Sequence, residues 1–178
     1  MAIYYGDGSN SNTGRVVQTI FKPKTSSWAS SVGSSEVVPT GMYQTITTKT
    51  NSSKVLVEVK MSLIIAGSYY GSQWKLMRDS GTDQLSGSPI FVAAGDGNRD
   101  QATQGLDANN GSTSDNVQTR GCTFLDTPGN AGAYTYYVVF RDTSTDNFFY
   151  LNRGRTDDNN VNQPRSVSSI LLQEIAAT

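Results

Sequence analysis

The arrangement most like a cation loop is "GDGNRD", residues 95–100, which sets Asp96, Asn98 and Asp100 at alternate positions. Alternating oxygen ligands suit calcium, because a loop can wrap them around one ion. The rest of that pattern is missing. Gln101 stands where a tight-turn glycine belongs, and Asp107 where a bidentate glutamate should close the loop. Solvated acids on a loop are the simpler reading, and the same holds for "TDDNN", residues 156–160.

Glycan cleavage needs two placed carboxylates, one with a raised pKa. The glutamates are Glu36, Glu58 and Glu174, and the spacing nominates no pair among them or the aspartates. Arg141, Arg153, Arg155 and Arg165 gather late in the chain. They could bind an anion or an acidic sugar, but intersubunit or surface ion pairs, which contribute little when exposed, are the preferred reading. "GDGS" and "GDGN" are glycine-rich but sit in no strand-to-helix frame, so no phosphate cradle is indicated.

Histidine is absent, which excludes Ser-His-Asp and Cys-His catalysis and His-ligated zinc. The single cysteine, Cys122, cannot form an intrachain disulfide and reads as a small strand hydrophobe. That suits a chain made in a reducing cytoplasm. Lys plus Arg is 14 against 15 for Asp plus Glu, so a basic nucleic-acid footprint is not expected. The start "MAIYYGDGSNSN" has no secretory h-region, and no apolar run is long enough for membrane insertion as a helix. These readings imply no enzyme activity and no cofactor.

The elements that would position these residues are strands. A chain of 178 residues suits one domain, and its Gly, Ser, Thr, Asn and Asp content favours strands and turns. In "KVLVEVKMSLIIAG", residues 54–67, Val55, Val57, Val59, Met61, Leu63 and Ile65 recur with period two. Further strands are expected at 15–22, 43–50, 89–94, 120–126, 134–142, 147–154 and in the closing "SVSSILLQEI". Residues 73–85 read as a hairpin turning near Ser80-Gly81, with Trp74, Leu76 and Arg78 on one face. Residues 23–41 read as a polar connection whose Trp28 caps the core or anchors a contact. Residues 95–116 and 152–165 are long polar loops, and loops of that length tend to carry function.

About nine strands joined by turns point to an all-β antiparallel sandwich or barrel, and eight of them would suit a jelly roll. In such folds the first and last strands pair, so the last is expected inside a sheet. Ile170 and Leu172 then form a second apolar row that a subunit neighbour could cover. Residues 1–14 are set apart as an N-terminal arm, with a single domain over 15–178. The arm is either a loose tail or a docking arm whose apolar end is Ile3, Tyr4 and Tyr5.

The segments "GRVVQTIFKPKT", "KVLVEVKMSL", "WKLMRDSGT", "YTYYVVFRD" and "RSVSSILLQEI" together resemble virion structural proteins of tailed bacteriophages, particularly those of marine cyanobacteria. The resemblance implies a jelly-roll domain, tumour-necrosis-factor-like in architecture, that forms homotrimers as a fibre tip, knob or capsid decoration. It implies a virion location, with the chain itself and other capsid or tail proteins as partners. Tyr134, Tyr136, Tyr137, Ile170 and Leu172 are then candidates for the trimer interface, since tyrosine suits half-wet contacts. An ordinary sheet face within one subunit explains the tyrosines equally. A receptor-binding module that recognises a host-surface glycan through 95–116 and 152–165 is the alternative function.

Overall fold

Alternation of apolar and polar residues dictates the strands, and the structure, a computed structural model, is built from strands. It describes residues 14–67, 71–83, 85–106, 109–110, 117–143, 147–158, 161 and 165–176. Ile3, Tyr4, Tyr5 and Asp107 lie outside them. The strands are β1 (Val16–Lys24), β2 (Trp28–Val32), β3 (Tyr43–Thr48), β4 (Lys54–Gly67), β5 (Ser72–Ser80) and β6 (Ser88–Phe91). They continue with β7 (Gln104–Leu106), β8 (Asn109–Asn110), β9 (Gln118–Asp126), β10 (Gly132–Asp142), β11 (Asn147–Leu151) and β12 (Ser168–Ile175).

The first sheet runs β1-β12-β4-β9 through antiparallel pairings, and the two-residue β8 lies parallel to the end of β4. The second runs β3-β10-β5-β6, also antiparallel. Numbered in chain order, these eight strands are arranged 1-8-3-6 over 2-7-4-5. That order is two nested Greek keys, and it defines an antiparallel jelly roll. The long β4 passes the start of β12 and pairs with β11 from Leu63 to Ala66, and β2 adds to β11 at the edge.

The expected closing strand is where the sequence places it, between β1 and β4. Its faces are the reverse of the cover argument. Ile170 and Leu172 point into the sandwich and are buried there, so this chain covers them itself. Leu171 and Ile175 are the partly exposed row. The core lies between β4's Val55, Val57, Val59, Met61 and Leu63 and the Trp74, Leu76, Tyr136, Val138 and Phe140 of the second sheet.

Three expectations are corrected. The hairpin turn does follow β5 at Ser80-Gly81, but its second strand is β6, beyond residue 85, so residues 73–85 do not contain the whole hairpin. The polar connection 23–41 contains β2, which half-buries Trp28 with its ring 5.8 Å from Phe140. Residues 89–94 are not a buried strand, because β6 is a short edge with only Ile90 turned to the core.

Two buried polar clusters tie the sheets. Asp126 on β9 accepts from Tyr136 Oη at 2.8 Å and pairs with Arg78 Nη1 at 2.7 Å, joining the first sheet to the second. Burial, then the Asp126 charge, pushes the Tyr136 phenol far up, so it stays a donor. Glu174 on β12 is fully buried and accepts from Lys49 N, Ser53 Oγ and Gln18 Nε2 at 2.7, 2.6 and 2.7 Å. Burial alone would raise its pKa, but these hydrogen bonds outweigh burial and hold it below the usual range.

Asp126→Ala leaves both partners unpaired and should cost about 3 kcal/mol in urea unfolding, whereas Tyr136→Phe should cost about 1 kcal/mol. Equal, negligible losses would show that the bridge holds nothing. Glu174 has the opposite pH logic to a buried base. Its depressed native pKa means that its contribution is full above about pH 4.3, the unfolded-state value. That contribution drains as pH falls through the native value. The stability gap between the protein and Glu174→Gln should therefore shrink on acidification, and a gap constant from pH 7 to 3 would contradict the depressed pKa.

Candidate functional site

The outer faces of the two sheets differ. On the second sheet, Met77, Tyr137 and Val139 point away from the main core, yet all are buried. Val38 and Tyr43 pack over them, and Tyr137 Oη accepts from Gly87 N at 2.8 Å. The chain covers that face itself.

The first sheet has no such cover among the described residues. Where Ile20, Leu172, Val57 and Phe124 point inward, their neighbours Phe21, Leu171, Leu56 and Leu125 point out. Phe21 is 60% exposed and Leu125 47%. Register brings them together: Phe21 pairs with Leu171, and Leu56 with Leu125. Val16 extends the patch beside Ile175. Glu58 and Lys60 lie on the same face, bridged at 2.8 Å, and Lys54 and Gln173 share it, so the apolar side chains are interspersed with polar ones.

This placement corrects the interface expected from sequence. Tyr134 and Tyr136 face the core, and Tyr137 lies under the cover of its own sheet. With Ile170 and Leu172 also interior, none of these five presents a free surface. Adjacent apolar pairs such as Ile20-Phe21 and Val55-Leu56 carried the better signal, because two successive apolar residues on a strand occupy both faces.

The second place of interest is a cleft of about 830 Å³ where β5 begins and β10 ends. The residues after β6 form its wall. Ala93 N donates to Ala102 O at 3.0 Å, which pinches the loop shut at its base. Thr103 fastens it to β5, accepting from Leu76 N at 2.8 Å and donating to Phe91 O at 2.5 Å. Asp100 reaches down, its Oδ2 accepting from Gln73 Nε2 at 2.7 Å and Arg141 Nη1 at 2.5 Å. Behind the cleft, Asp142 Oδ2 accepts from Ser72 Oγ and Asn147 Nδ2, both at 2.6 Å. Gly67 makes room for this: at φ +149, an added Cβ would stand 1.7 Å from Asn147 Oδ1.

The sequence-nominated acids do not converge on a cation. Asp96 pairs with Arg99 at 2.6 Å, while Asp100 is engaged with Gln73 and Arg141. Among the described residues, no three metal-ligating side chains gather. The glutamates are apart: Glu36 bridges Lys75, Glu58 bridges Lys60, and Glu174 is buried. Arg153 and Arg165 share Asp157, at 2.9 and 2.6 Å. No described residue of 152–165 lines the cleft, so the two long loops are separate features. Cys122 packs against the core, and burial pushes its thiol up to about 11, away from nucleophilic chemistry.

No protein-family model matches the chain, and no curated protein matches it. Among solved structures, it is similar to the infectious bursal disease virus VP2 subviral particle, at 11% identity and a TM-score of 0.36, covering 93% of this chain. It is also similar to infectious bursal disease virus Gx strain, at 13% identity and a TM-score of 0.34, covering 91% of this chain. The alignment spans 39% of each of those chains.

Proposed function

We propose that this is a non-enzymatic structural protein on the exterior of a phage particle, assembled as a homotrimer. The observation that carries the assembly reading is the uncovered face of the first sheet. Phe21, Leu56, Leu125 and Leu171 lie on rigid paired strands and are flanked by a neutral Glu58–Lys60 couple. Contiguous exposed apolar surface marks a contact site. The resemblance to tailed-phage virion proteins supplies the number three and the setting. The arm would attach the trimer to a capsid or tail protein.

A second reading is receptor binding to a host-surface glycan. The cleft favours it, since a polar concavity walled by a loop on a rigid sheet scaffold is a common form of binding site. Of the two long loops, only the one before β7 lines that cleft among the described residues; 152–165 would act elsewhere.

Gold-labelled antibody on intact particles tests the location. Label on the capsid or tail is expected, and unlabelled particles would remove the virion reading. Light scattering after size exclusion tests the assembly. The protein should run as a trimer, and Phe21→Asp with Leu125→Asp should run as a folded monomer. A trimer that survives both changes would move the interface elsewhere.

A further inference from the structure

We propose that the cleft between β5, the end of β10 and the loop 93–106 binds an uncharged saccharide. The inference rests on the receptor-binding reading and names its ligand class and its residues.

The site is built before any ligand arrives. Gln73 is 95% removed from solvent, with a relative exposure of 5%. Its Nε2 is committed to Asp100, and its Oε1, which takes no hydrogen bond from the described residues, remains an acceptor on a residue that lines the cleft. Beside it, Asp100 uses only Oδ2 for Gln73 and Arg141, so Oδ1 remains an acceptor. Arg141 is held from both sides, Nε donating to Ser34 O at 2.9 Å and Nη1 to Asp100, which leaves Nη2 as a donor. Two planar acceptors and one planar donor therefore meet at one place. A sugar hydroxyl gives one hydrogen and accepts at two lone pairs, so adjacent hydroxyls of one ring serve all three.

Charge decides between sugar classes. Arg141 is neutralised by Asp100 and Arg99 by Asp96. An acidic sugar or a phosphate would find each guanidinium already matched, and Asp100 Oδ1 would repel it. An uncharged ring meets no such penalty. The floor is open, since a Cβ on Gly105 would meet nothing within 4 Å. No aromatic side chain lines the cleft among the described residues, so ring stacking adds nothing and each site is weak. Three copies in one trimer would raise the avidity for a repeating surface polysaccharide.

Ligand-observed NMR on the full chain tests this with methyl α-glucoside, methyl α-mannoside and methyl β-galactoside against glucuronate and methyl phosphate. At least one neutral glycoside should show saturation transfer, and glucuronate and methyl phosphate none. Asp100→Asn keeps the shape but unmasks Arg141. It should weaken the neutral glycoside about tenfold and let glucuronate bind. Gln73→Leu should lose the neutral signal while far-UV circular dichroism stays unchanged. Binding of glucuronate alone to the unaltered protein would overturn the uncharged class yet keep the cleft. Failure of all five probes would overturn the cleft site. Adsorption of the labelled protein to host cells in that case would show that receptor binding stands through another surface.

Discussion

The attachment of β1 to the first sheet hangs on β12. It enters between β1 and β4, and without it β1 has no neighbour in that sheet. Glu174 makes this insertion specific. One buried carboxylate gathers Gln18 from β1, Ser53 from the turn before β4, and the backbone of Lys49 after β3. Three segments far apart in sequence, β1, the turn between β3 and β4, and β12, meet at one charge. Such an ion is tolerated inside only because donors surround it, and register shifts that misplace it are penalised. The Asp126 bridge does the same for β9 against the second sheet.

The sandwich so fixed sets the two surfaces apart in character. One sheet carries its own lid of Val38 and Tyr43, so Tyr137 and Met77 form a small second core. The other leaves a flat apolar field on strands held by ladder bonds. The cleft belongs to neither face. It lies where strands end and a pinched loop folds back, and its polar groups pair almost completely with one another.

The strand framework was legible in the sequence wherever only one row was apolar. Residues 54–67 are the clearest case, and the pairing of the first and last strands followed from fold class. Legibility failed where both rows were apolar or neither was. In "ILLQEI" both rows carry hydrophobes, so periodicity could not say that Ile170 and Leu172 go inside. In "WASSV" small polar residues hide a strand that only pairing with β11 creates. β7 is too short for any pattern to register. Tyr134, Tyr136 and Tyr137 looked like interface residues because tyrosine suits half-wet sites, but Asp126, Asn130 and Gly87 satisfy their hydroxyls within the chain. The cleft was half legible: the loop and Asp100 were singled out, whereas Gln73 was not, since nothing local marks a strand glutamine as a partner for a residue 27 positions on.

The junction of Gly14 with Ala176 has a mechanical meaning. Gly14 N donates to Ala176 O, and Ala176 N to Arg15 O, so both strands leave the sheet at one corner. Tension applied between those two points would peel β1 from β12 one rung at a time, the weakest way to load an antiparallel ladder. Tension entering at Gly14 and leaving through Phe21 and Leu125 would instead be shared across several strands. A molecule tethered at that corner and gripped by its sheet face is arranged to resist pulling, while the same molecule pulled between Gly14 and Ala176 would unzip.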